Sequence, residues 1–204
     1  MYQLYFVPGA CSLATQVVLR ELNIPVEIID KNSVPDFSSL NPVGTVPVLQ
    51  DGDEIVREGA AIMIHVLEKQ TNPFLPVDAL GRSRAIQDIM FANATMHPAY
   101  SKLFFTAQNL PDGDAKNTAF AAAADAINKL WQVVEKRLQT QTYLGGDTPS
   151  AADIMLTVYS RWGQFFPADI VLGPRAQAMV NAIQQRPTFV AALDAEQATQ
   201  QAAA

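Results

Sequence analysis

Strand signals are confined to the first third of this chain. Up to about Gln70, short apolar runs alternate with turn residues; beyond Gly81, every apolar pattern has helical spacing. Any sheet must therefore be built from residues before Gln70, and the remainder must bury its apolar faces helix against helix. The early order reads strand, helix, strand, then strand, strand, helix, the pattern of a compact α/β unit. Thr71-Asn72-Pro73-Phe74-Leu75-Pro76 reads as a linker. The chain is thus expected to be α+β, with domains over 1–75 and 82–204. Helices are expected over Arg82–Gln108, bent near His97-Pro98 because proline removes a backbone donor, and over Asp114–Leu138, Ser150–Phe166, Pro174–Gln185 and Thr188–Gln197. The Ala/Gln-rich tail from Ala198 is expected to fray.

Composition narrows the function classes. Hydrophobic residues make up 49% of the 204 positions and charged residues 17%, which is globular rather than disordered. A net charge of −6, with no basic cluster, argues against nucleic acid or an anionic membrane as partner. There is no positively charged start followed by an apolar stretch, and no apolar span long enough to cross a bilayer. The single cysteine cannot form an internal disulfide, so a cytoplasmic location is expected. No metal site is expected.

That cysteine occupies a telling place. Gln3-Leu4-Tyr5-Phe6-Val7 has the content of a buried strand, Pro8-Gly9 breaks it, and from Ser12 on Leu13, Val17, Val18, Leu19 and Leu22 recur at helical spacing. Cys11 therefore sits at a helix start, where free N–H groups and the helix dipole favour negative charge. Such a position binds anions and stabilises a thiolate, although a lone cysteine is often only a small buried side chain. A second block, Asn41-Pro42-Val43-Gly44-Thr45-Val46-Pro47-Val48-Leu49, runs from a turn into a strand. Pro47 at the strand's start implies either a cis bond or an ordinary edge proline. A cis bond would leave the Val46 N–H and C=O available to an extended, peptide-like ligand. Asp51-Gly52 then marks a hairpin, and Glu58-Gly59 opens another helix.

In order and spacing, Pro8-Gly9-Ala10-Cys11-Ser12-Leu13-Ala14, the Asn41–Leu49 block and Glu58-Gly59-Ala60-Ala61-Ile62 resemble the bacterial cysteine-type (beta-class) glutathione transferases. So does Gly145-Gly146-Asp147-Thr148-Pro149-Ser150-Ala151-Ala152-Asp153, where Ser150 and Asp153 form a Ser-x-x-Asp capping box ahead of an apolar run. The resemblance spans essentially the whole chain. It implies an N-terminal thioredoxin-like α/β domain followed by an all-α helical domain, glutathione as co-substrate, a small apolar electrophile as second substrate, and a homodimer.

The resemblance also implies roles. Cys11 would lie beside the glutathione sulfur, stabilising its thiolate or forming a mixed disulfide with it, with Ser12 as the alternative donor. Ala10, Val46 and Pro47 would line the tripeptide; Glu58 would hold the ammonium of its glutamyl arm and the Gly59 N–H that arm's carboxylate. His97 falls near a histidine that the family places on the first long helix of the helical domain. Trp162 and Phe165 would border the electrophile pocket. Departures from the family pattern are Pro98 where relatives carry lysine, Gly59 where many use serine, Val43 for a lysine, and few cations over Lys31–Leu40, for which Lys31 would compensate. Conjugation of glutathione, thiol–disulfide exchange through Cys11, and a non-catalytic binding role on the same scaffold all remain open at this point.

Overall fold

A computed structural model describes residues 1–202. In chain order the elements are β1 (Tyr2–Phe6), α1 (Ser12–Glu21), β2 (Val26–Asp30), a 3₁₀ turn (Lys31–Ser33), α2 (Phe37–Leu40), β3 (Val48–Asp51), β4 (Glu54–Arg57) and α3 (Gly59–Glu68). The helical part follows as α4 (Ala79–Met90), a π-helical segment (Phe91–Met96), α5 (His97–Asn109), α6 (Asp114–Arg137), α7 (Ala151–Ser160), a 3₁₀ turn (Arg161–Phe165), α8 (Pro174–Gln184) and α9 (Pro187–Ala202).

The strands form one mixed sheet in the order β2-β1-β3-β4. β1 pairs with β2 in parallel, Leu4 opposite Ile28, and with β3 antiparallel, Leu4 opposite Leu49. The parallel pair needs a crossover, which α1 supplies. Leu4 and Phe6, two residues apart and so on one face of the pleat, are fully buried. Tyr5 points the other way, into a small cluster with Phe37 and Val48, and its hydroxyl donates to Gln50 Oε1 at 3.2 Å. α1 ends where Asn23 turns left-handed (φ 53°), with the Asn23 and Ile24 N–H groups bonded back to Arg20 and Leu19.

By compactness the chain divides into Met1–Ile86 together with the stretch from Gln184 on, and Gln87–Ile183. This differs from the sequence-based division at 75 and 82, which leaves the last helix with the helical domain. The reason is side-chain chemistry at the start of α9 and in the residue before it. Glu21 of α1 accepts from Arg186 Nε and Nη2, each at 2.7 Å, and also from the Thr188 hydroxyl. α9 packs on α1 and β2 and stays helical through Ala202, so the fraying expected from Ala198 is not observed up to that point. Residues 203 and 204 lie outside the described residues.

In the second unit, the expected bend at His97-Pro98 takes the form of the π-helical turn that ends there. Pro98 has no N–H to give to the carbonyl one turn back, and the widened turn absorbs the missing bond. The Ser150–Asp153 capping box is formed. Ser150 Oγ accepts from Asp153 N–H, and Asp153 Oδ2 accepts from Ser150 N–H. The same carboxyl also accepts from the Leu144 and Gly145 N–H groups, tying the Gly145–Ser150 loop to α7. Burial raises the Asp153 pKa despite these donors. Asp88 and Arg137 make a bidentate pair at 2.5 and 2.8 Å. Among the described residues, no helix is long and apolar enough to cross a membrane. Asp153→Ala strands three backbone N–H groups. It is expected to cost about 3 kcal/mol or more, read as a lower urea midpoint at an unchanged slope.

Candidate functional site

The turn Val7–Cys11 is built by backbone bonds, Ala10 N–H to Val7 O at 3.0 Å and Leu13 N–H to Ala10 O at 3.2 Å, with Gly9 at φ +74°, where a Cβ would be strained. The Gly9 N–H donates to Glu196 Oε2 at 2.9 Å. This geometry delivers Cys11, half-buried, to the N-cap position of α1. Across from it, Val46-Pro47 is a cis peptide. The loop before it is organised by Asn41, a buried side chain whose Nδ2 donates to the Thr45 carbonyl at 2.8 Å and whose Oδ1 accepts from the Val43 N–H.

The Cys11 thiol donates to the Val46 carbonyl at 3.5 Å. The Val46 C=O is therefore engaged by the thiol rather than waiting for a ligand, while no hydrogen bond to the Val46 N–H occurs among the described residues. The expectation that the helix start yields a thiolate is also corrected. The Cys11 and Ser12 N–H groups do pull the thiol pKa down, but burial outweighs them and pushes it up to about 11. A neutral S–H donating to a carbonyl and a raised pKa are two faces of the same arrangement.

The other expected residues of this unit fall as follows. Ala10 is half-buried in the turn. Ser12, the alternative donor, is fully buried, and its hydroxyl has no hydrogen-bond partner among the described residues. Lys31 Nζ donates to the Gly44 carbonyl at 2.5 Å and lies 5.4 Å from the Phe37 ring centroid, so part of its charge steadies the protein's own Asn41–Gly44 turn. Glu58 is exposed and sits at φ 70°, ψ 121°, immediately before α3. A left-handed conformation at a non-glycine residue costs on the order of 1–3 kcal/mol and is commonest at functional positions. Gly59 opens α3, and its N–H belongs to the first turn of that helix, which has no intrahelical acceptor.

In the second unit, His97 stands edge-on to Tyr159 and Trp162, with ring centroids 5.2 and 5.1 Å away. Burial lowers its pKa, so the ring is neutral at neutral pH. Ser101 Oγ donates to the His97 carbonyl at 3.0 Å and lies 3.3 Å from the ring's Nδ1. Trp162, only 5% exposed, is the hub of an aromatic cluster with His97, Tyr100, Phe104 and Tyr159, whereas Phe165 is 68% exposed. Asn41 and Glu196 escaped the sequence reading. Asn41 was visible as an Asn-Pro turn former. Glu196 shares the i, i+3, i+7 face of buried Phe189 and Ala192, which is the available signal for an inward carboxyl.

Residues 9–70 match the family described as glutathione S-transferase, N-terminal domain, and residues 91–187 match glutathione S-transferase, C-terminal domain. A glutathione S-transferase of Xanthomonas campestris pv. campestris is 33% identical over 174 residues, covering 82% of this chain and 85% of that protein. A sphingomonad glutathione S-transferase complexed with glutathione superposes with a TM-score of 0.81 at 32% identity, covering 95% of this chain and 98% of the other. A bacterial beta-class glutathione S-transferase from Sphingomonas chungbukensis gives 0.80 at 30% identity, with the same coverage.

Two titrations check the electrostatics. Alkylation of Cys11 by iodoacetamide at pH 8.5 is expected to run about a hundredfold slower than that of an ordinary thiol and to climb towards pH 11. The His97 ring protons, followed by NMR, are expected to titrate below the ordinary midpoint near 6.5.

Proposed function

Because this chain belongs to the glutathione S-transferase family, and is accordingly an enzyme with glutathione as its co-substrate, we propose that it conjugates glutathione to small apolar electrophiles, with Cys11 placed at the glutathione sulfur. Glutathione brings a peptide backbone, a γ-glutamyl arm with an ammonium and a carboxylate, and a thiol. In this reading the extended backbone pairs with Val46 beside Pro47, a strand-like mode of peptide capture. Glu58 takes the ammonium and the Gly59 N–H the carboxylate, at the start of a helix where negative charge is favoured. Ala10 lines the turn, and Lys31 lends its remaining N–H donors near the Asn41–Gly44 loop.

The observation that carries the proposal is the Cys11 S–H at 3.5 Å from the Val46 carbonyl, which puts a thiol donor and a peptide-pairing edge within the span of one tripeptide. A thiol held near pKa 11 stays protonated at neutral pH. Its role is then to turn its S–H from the Val46 carbonyl to the glutathione thiolate, donating a hydrogen bond rather than attacking as a nucleophile and freeing that carbonyl to pair with the peptide backbone. The thiolate's own proton leaves to solvent, its electron pair forms the new C–S bond, and the electrophile's leaving group departs with the bonding pair. This favours conjugation over thiol–disulfide exchange, which needs a reactive cysteine thiolate. Ser12, being buried, is the poorer donor. Trp162 contributes through the aromatic cluster that fixes His97. A homodimer in the cytoplasm belongs to the same reading.

Calorimetric titration with reduced glutathione is expected to give one saturable site per chain; no binding at millimolar glutathione would sink the proposal. Cys11→Ala is expected to keep most of that binding and lose about ten- to a hundredfold in kcat, the worth of one hydrogen bond to a charged sulfur, while Cys11→Ser retains more of the rate. Full conjugation together with lost disulfide reductase activity in Cys11→Ala would instead make the cysteine redox machinery.

A further inference from the structure

Glu196 is a buried carboxyl in a helix that is otherwise rich in alanine and glutamine, 3% exposed and facing α1. Its Oε1 accepts from Gln16 Nε2 at 2.7 Å, and its Oε2 accepts from the Gly9 N–H at 2.9 Å. Gln16 is itself fully buried, and Arg20, one helical turn on, donates to the Gln16 carbonyl at 3.2 Å. At the other end of the helix pair, Glu21 already grips Arg186 and Thr188. Two polar clamps therefore join α9 to α1, and they differ in what they hold. The Glu21 clamp joins helix to helix. The Glu196 clamp reaches past α1 to a backbone N–H two residues before Cys11.

Pairing the buried Gln16 amide and facing the Arg20 charge account for one side of this carboxyl. An apolar side chain at 196 would extend the buried face of Phe189 and Ala192 but leave the Gln16 amide without its partner. What an apolar residue cannot do is accept from Gly9, whose left-handed backbone sets the path of the chain into Cys11.

We propose that Glu196 is a positioning residue of the transferase: by accepting from the Gly9 N–H it fixes the Pro8–Cys11 turn, and with it the place of the Cys11 thiol. This rests on the reading that Cys11 stands at the glutathione sulfur. Glu196 touches neither substrate; it acts through Gly9.

The test uses the full-length chain and three variants. In Glu196→Gln one oxygen still faces Gly9, and the Gln16 amide can rotate to present its own oxygen to the new NH₂ group, so both contacts survive. In Glu196→Asp the side chain is shorter by about 1.5 Å and cannot serve both partners. Thr188→Ala weakens the other clamp and leaves the turn alone. Glutathione affinity by calorimetry, KM and kcat with chlorodinitrobenzene, and the Cys11 alkylation rate are measured for each. Glu196→Asp is expected to lower kcat about tenfold, the worth of one hydrogen bond, with a smaller change in glutathione affinity and alkylation several-fold faster. Glu196→Gln should stay within about threefold of wild type in all readouts. Thr188→Ala should lower the melting temperature without moving kcat or the alkylation rate. The proposal is overturned if Glu196→Asp matches wild type in kcat and alkylation, or if Thr188→Ala shifts both as much as Glu196→Asp does. Should the wild type itself not bind glutathione, the transferase-site reading falls instead. The alkylation comparison then still decides whether Glu196 holds the Cys11 turn.

Discussion

Helix α1 is buried on every side, and much of the first unit follows from that. Each residue from Ser12 to Leu19 is shielded from solvent, the polar Ser12, Thr15 and Gln16 as well as the apolar Leu13, Val17 and Val18. A helix so enclosed cannot rest on a sheet alone. It needs a cover on its polar stripe that supplies hydrogen-bond partners as well as bulk, because a buried amide without a partner is costly. The sheet and α3 take the apolar sides, and α9 takes the stripe carrying Gln16. The position of Cys11 is thus inherited from a helix locked in place by the packing around it.

That same enclosure decides the chemistry of the thiol. A helix start and two nearby N–H groups favour a thiolate, and in an open site they would prevail. Here desolvation is the larger effect and the thiol stays protonated, finding its hydrogen-bond partner in the Val46 carbonyl. The Cys11 thiol in the first unit is protonated and the His97 ring in the second is neutral, each electrostatically quieter than the sequence suggests.

The parts of the fold that sequence made legible are those fixed by neighbours in the chain. Pro8-Gly9 ends β1 and Gly9 needs a left-handed turn; Ser150 and Asp153 cap α7 from three residues apart; Pro98 disrupts its helix locally. The cis bond at Val46-Pro47 was one of two readings that the residues allowed. What was illegible depends on distant partners. The acidity of Cys11 is set by how many atoms crowd it, which no local pattern records. Trp162 looks equally suited to a core or a pocket until its ring neighbours are known. The placement of α9 with the sheet unit turns on Glu21 meeting Arg186 and Thr188, and nothing near Glu21 announces that pairing.

The cover over α1 also has a temporal side. Gly9 and Glu196 are separated by 187 positions, Gln16 and Glu196 by 180, and Glu21 and Arg186 by 165. During synthesis the strands and α1 leave the ribosome first, yet the stripe carrying Gln16 has no partner until α9 has emerged. The intervening unit, Gln87–Ile183, meets no such delay, since its helices pack against one another. The part of the chain made first is therefore finished last, and for most of translation α1 is half-clothed, the kind of exposed surface that nascent-chain chaperones shield.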